Sequence, residues 1–257
     1  MVYILLLISH LLADFVFQDS KLVRRKKVEH AALIEHSAIY AACILVALII
    51  TQKISIAVIS TIVIGLLHYI IDRSKCIISK NIIGAKGDFV VFWIDQIIHI
   101  AFLMYISKKF LYVNAYPNTL IGQVLDMYSY DTTMKVTIII FLYILCTCPV
   151  GVVIKKVFTM LDAQFDEQCQ QEYKIVNAGF LIGILERLII LTLGLLGQFG
   201  AIALVIAAKG LARFEQLKNQ DFAEKYLIGT LFSMLIALGC VYAANIIFEL
   251  PVVHLNK

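Results

Sequence analysis

The chain has 257 residues, 61% of them apolar and only 16% charged, with a mean hydropathy of +0.89. A soluble domain of this length cannot hide so much apolar surface, and the low charge excludes disorder, so the composition reads as an all-α, polytopic membrane protein. The net charge of +4 belongs to the loops of such a protein and carries no nucleic-acid signal.

Bilayer-length apolar runs predict about eight helices, at 1–17, 30–50, 54–72, 88–107, 134–154, 176–197, 198–212 and 226–248. The seventh is short and ends at Lys209 and Arg213; one long broken helix over 176–212 gives a count of seven instead. The opening run MVYILLLISHLLADF lacks a basic start and an A-x-A cleavage site, so it reads as a retained span. A loop over 108–133 separates two four-helix halves, 1–107 and 134–257, with no repeat relating them. Pro149 is expected to kink the fifth helix, Asp88 to cap the fourth, and the polar segment 159–174 to lie as a surface helix.

Lysine and arginine crowd segments 18–29, 73–87, 155–175 and 209–225, which places these in the cytoplasm and both termini outside the cytoplasmic membrane. Six scattered cysteines without a CxxC read as reduced packing residues.

Ionisable groups inside spans are rare and default to function. Helix 1 carries His10 and Asp14 with Gln18 a turn on; helix 2 carries His36; helix 3 His68 and Asp72; helix 4 Asp95, Gln96 and His99. An i, i+4 spacing puts each pair on one helix face. Helices 1 and 3 read His then Asp, and helix 4, running the other way, reads Asp then His. All three aspartates therefore sit nearer the cytoplasm, with each histidine about 6 Å deeper and His36 in the same zone. Three carboxylates in a low-dielectric bundle are costly, and a divalent cation removes that cost. Imidazole with carboxylate is a ligand set for Zn²⁺, Mn²⁺ or Fe²⁺, one ion or two. The metal candidates are His10, Asp14, His36, His68, Asp72, Asp95 and His99. Asp14, Asp72 or Asp95 also serves as a catalytic base, with Gln18 and Gln96 holding the ligands in place. His30 and His254 fall outside this set.

In the second half, Glu186 and Arg187 are adjacent and need separate partners; Lys209 is expected to pair with Glu186, with Arg213 as the alternative. Glycines at 179, 183, 194, 197, 200 and 229 offer small-residue faces for close packing, a structural module or a homo-oligomer contact. Walker, GxGxxG, GxSxG and HExxH motifs are absent.

Laid out this way, the chain resembles a bacterial family of multi-pass membrane proteins of unknown function, domain-of-unknown-function family 3307. Its H-L-x-A-D-F-x-x-Q opening is matched by His10, Leu11, Ala13, Asp14, Phe15 and Gln18, and a second-helix histidine by His36. H-x-x-I-D is matched by His68, Ile71 and Asp72, and D-Q-x-x-H by Asp95, Gln96 and His99. Longer members carry G-x-L-E-R, matched by Gly183, Leu185, Glu186 and Arg187, then G-Q, A-A-K and Y-L-I-G-T, matched at 197–198, 207–209 and 226–230; Gly210 departs from their Ser. The pattern is similar in style to bacterial integral-membrane proteins named as metal-dependent hydrolases. Three readings follow: a hydrolase of a lipid or lipid-linked ester, a proton or divalent-cation conduit, and a non-enzymatic scaffold.

Overall fold

The computed structural model describes residues 1–81, 84–111, 130–161 and 176–248. These are helical throughout, with no strand among them. The expected loop over 112–129, most of the expected surface helix (162–174), Cys169 and His254 lie outside the described residues. The chain divides into two compact units, Met1–Ile144 and Leu145–Lys257.

In the first unit, α1 (Val2–Leu11) runs into a single π turn (Leu12–Val16), and α2 (Ser20–Lys26) follows at 89° to that pair. Asp19 caps α2, its carboxylate accepting from the Leu22 N–H at 2.7 Å. α3 (His30–Thr51), α4 (Ile54–Asn81) and α5 (Ala85–Phe110) are long and apolar, and α6 spans Tyr130–Leu145. α3 packs most extensively on α4, where Gly65 allows close approach: a Cβ there would sit 3.2 Å from the Ala41 Cβ. Leu6, Ile44, Leu48, Ile64 and Leu103 form the buried apolar core. Outward-facing Ile59, Ile62, Leu66, Ile70 and Ile97 are exposed while His10, His36, His68, His99, Asp72 and Asp95 are buried. Polar inside and apolar outside is the arrangement a lipid environment favours.

Two expectations need correction. Residues 73–81 are helix, because IIDRSKCIISKN contains neither Gly nor Pro and α4 runs on to Asn81. Asp88 is not a cap: Gly84, at φ +101°, turns the chain, and α5 starts at Ala85. Asp88 lies in the first turn, its N–H bonded to the Gly84 carbonyl, where its charge suits the helix dipole.

In the second unit, α7 (Cys148–Leu161), α8 (Val176–Leu195), α9 (Phe199–Ala212) and α10 (Gln220–Phe248) pack around Ile190, Ile202 and Ala237. Gly194 is the close point of α8 and α10. A Cβ there would meet the Val241 Cγ2 at 2.5 Å. Gly194→Leu is therefore expected to cost about 1–3 kcal/mol, read as a lower melting temperature of the purified protein.

Pro149 lacks the N–H that would bond the Leu145 carbonyl, and the helix breaks over Cys146 and Thr147 before α7 begins. The buried Arg187 side chain caps the break. Its Nε donates to the Cys146 carbonyl at 2.7 Å, Nη2 to the Thr147 carbonyl at 2.9 Å and Nη1 to the Ser233 hydroxyl at 3.3 Å. Among the described residues five helical stretches are long and apolar enough to cross a membrane: His30–Thr51, Ile54–Ser79, Ala85–Phe110, Asp131–Leu161 taken across the break, and Gln220–Phe248. The bent pair Val2–Val16 with Ser20–Lys26 makes a sixth if taken as one span.

Candidate metal centre

Four elements of the first unit bring the His and Asp side chains to one place. α1 supplies His10 and the π turn supplies Asp14. The turn is made by the Phe17 N–H bonding the Leu12 carbonyl, one residue wider than an α turn, a feature frequent at functional sites. α3 supplies His36, α4 His68 and Asp72, and α5 Asp95 and His99. The four histidines, Asp72 and Asp95 are at most 3% exposed.

Distances separate the roles. His36 Nε2 lies 3.1 Å from His68 Nε2 and 3.3 Å from Asp14 Oδ1, and His68 Nε2 is 3.8 Å from that same oxygen. Asp72 Oδ2 stands 3.6 Å from His36 Nε2 and 3.9 Å from His68 Nε2. Metal bonds of about 2.1 Å in a tetrahedron put neighbouring ligand atoms about 3.4 Å apart. All five separations fall around that value. His68, Asp72 and His99 form a second group close enough to share an ion. His99 is oriented for such a role: Nδ1 donates to the Asp95 carbonyl at 2.9 Å, and Nε2 makes no hydrogen bond among the described residues.

His10 and Asp95 stand at the edge of this set. His10 Nδ1 is 3.6 Å from Asp14 Oδ2, while Nε2 donates to Gln96 Oε1 at 3.2 Å; Gln96 Nε2 in turn donates to Asp95 Oδ2 at 3.1 Å. Gln18 accepts from Lys26 Nζ at 2.8 Å. His30, exposed at the start of α3, is apart from the site.

Lys26, Lys75 and Tyr40 are the participants that sequence reasoning missed. Lys26 Nζ donates to Asp72 Oδ2 and Lys75 Nζ to Asp95 Oδ2, each at 2.6 Å. Both had been counted as loop charges. The spacing of His68, Asp72 and Lys75, at i, i+4 and i+7, marks Lys75 as lying on the same helix face. Tyr40, one turn after His36, stacks on the His68 ring at 3.6 Å and fixes its plane. Lys26 gives no such signal, since it arrives on α2 after a sharp bend.

Two lysines balance two of the three aspartates. Asp14 is left with imidazoles at 3.3–3.8 Å as its neighbours, and its Oδ1 makes no hydrogen bond among the described residues. A buried carboxylate so placed calls for a positive charge.

A family model described as a protein of unknown function (DUF3307) matches residues 2–125. This segment is similar to that family. The match contains all seven candidate ligands and both lysines, and the motifs of the second unit stand beyond it. No curated protein and no solved structure matches the chain.

In the second unit Lys209 Nζ donates to Glu186 Oε2 at 2.6 Å and to the Thr230 hydroxyl at 3.0 Å. Arg213 instead donates to Gln216 Oε1 at 3.3 Å.

Proposed function

We propose that the first unit is a divalent-metal centre of hydrolytic type within an eight-span protein of the cytoplasmic membrane, acting on an ester or phosphoester of a lipid or lipid-linked substrate. The observation that carries this reading is the group of Asp14 Oδ1, His36 Nε2 and His68 Nε2, with separations of 3.1–3.8 Å, whose carboxylate no lysine hydrogen-bonds among the described residues. Zn²⁺, Mn²⁺ or Fe²⁺ held there would polarise the scissile bond and lower the pKa of bound water. Asp14, His36 and His68 make a three-ligand set of the kind that keeps a position for water. Asp95 is the carboxylate outside it: Lys75 and Gln96 hold its Oδ2, and Oδ1 remains to take a proton. Tyr40 and Gln96 keep the His68 and His10 rings in orientation.

A conduit for ions uses the same groups, and packing argues against it. Beyond the histidines the bundle is closed by Leu6, Ile44, Leu48 and Leu103, all fully buried. Of the buried hydroxyls on that side, Ser9, Thr51 and Ser107 are bonded to backbone carbonyls, and Thr61 makes no hydrogen bond among the described residues.

The test is metal analysis and turnover of the purified full-length protein, with bis(p-nitrophenyl) phosphate as the probe. Wild type is expected to retain about one equivalent of metal and to hydrolyse the probe, and His68→Ala and Asp14→Asn to lose both. Metal retained without turnover, together with metal flux into liposomes, would favour the conduit. Near-zero metal in all three proteins would leave only a scaffold.

A further inference from the structure

The second unit contains a cavity of about 730 Å³, lined from α7, α8, α9 and α10. That is the size of a small-molecule site. Its walls divide by chemistry. Ile154, Phe158, Phe180 and Ile182 make one part apolar, while Arg187, Lys209, Arg213 and Lys225 face a single carboxylate, Glu186. That carboxylate is engaged by Lys209 at 2.6 Å.

The two arginines are the decisive groups. Arg187 is only 2% exposed, yet its hydrogen bonds go to neutral acceptors, the carbonyls of Cys146 and Thr147 and the Ser233 hydroxyl. Among the described residues three of its five N–H groups find an acceptor. Gly183 keeps the space beside it clear, since a Cβ at that position would lie 3.2 Å from Nη1. Arg213 donates to the Gln216 amide oxygen and stands over the Phe222 ring at 5.9 Å. Cations in an apolar bundle are costly without a counter-charge. A guanidinium pair matches the oxygens of a phosphate, and basic pockets between membrane helices bind anionic lipid head groups.

We propose that this cavity binds an amphiphile whose phosphate head group is net anionic, its phosphate held between Arg187 and Arg213 and its chain along Phe158 and Phe180. The proposal draws on nothing in the metal centre.

The experiment uses the full-length protein in a neutral detergent, titrated separately with phosphatidylglycerol, phosphatidylcholine, glycerol phosphate and inorganic phosphate, with binding read by native mass spectrometry. Phosphatidylglycerol is expected to bind at least ten-fold more tightly than phosphatidylcholine. Arg213→Gln should weaken it about five-fold, the worth of one such charge. Gly179→Leu should abolish it by filling the cavity, because a Cβ at Gly179 meets nothing within 4 Å and the fold has room for it. Melting temperatures of both variants without lipid should match wild type. Equal binding of the two phospholipids would overturn the proposal, as would variants that bind like wild type. Glycerol phosphate or inorganic phosphate binding as tightly as phosphatidylglycerol would assign the site to a free phosphate and overturn the amphiphile.

Discussion

Lys26→Met is expected to lower the melting temperature of metal-free protein sharply and that of Zn²⁺-loaded protein hardly at all. The Lys26 amine sits 2.6 Å from Asp72 Oδ2, and both side chains are buried. Removing one partner of such a pair leaves an uncompensated charge and costs about 3–5 kcal/mol. Asp72 Oδ2 also stands 3.6 Å from His36 Nε2 and 3.9 Å from His68 Nε2, and with His68 and His99 it belongs to the second group close enough to share an ion. An ion bound there supplies the charge that Lys26 otherwise provides, so loading should restore most of the loss. The same variant should bind Zn²⁺ more tightly, because a competitor for the carboxylate is gone. Thermal denaturation with and without added Zn²⁺ measures both effects. Equal losses in the two states would make Lys26 a helix tie and nothing more.

The second large effect is expected at the helix break of the second unit. Arg187→Met strands the carbonyl of Cys146 in buried surroundings, while the Thr147 carbonyl keeps the Gly151 N–H. An unsatisfied buried group costs about 1–3 kcal/mol, and the variant should lose about that much. The break itself traces to Pro149, which cannot donate to Leu145. Adding Pro149→Ala to Arg187→Met lets the helix close over the gap, and it should recover part of the stability. A double-mutant cycle by thermal denaturation reads this coupling directly. Strict additivity of the two substitutions would show that the arginine does not serve the break.

The site was legible to the extent that it obeys helical periodicity. His68 with Asp72 and Asp95 with His99 lie on regular helices, so i, i+4 spacing and chain direction sufficed to bring them to one level. The lysines were hidden because a charge count treats every basic residue outside an apolar run as loop. Lys75 lies on a helix that outlasts its apolar stretch by more than two turns. Lys26 depends on the bend before α2, which no local pattern announces. The division at Ile144 and the cationic cavity likewise come from tertiary packing, where Arg187 reaches a backbone gap 40 residues upstream. Glu186 and Lys209 needed only depth along two antiparallel helices, which periodicity supplies.

The wide turn at Leu12–Val16 makes the first span unusually sensitive to insertions and deletions. Losing one residue there would let the segment relax to ordinary α geometry and swivel Val2–His10 by about 100° relative to Asp14. The imidazole and the carboxylate would then point to different sides of the helix. Substitutions along the lipid-facing side of that helix should be absorbed readily, whereas a change in its residue count should not.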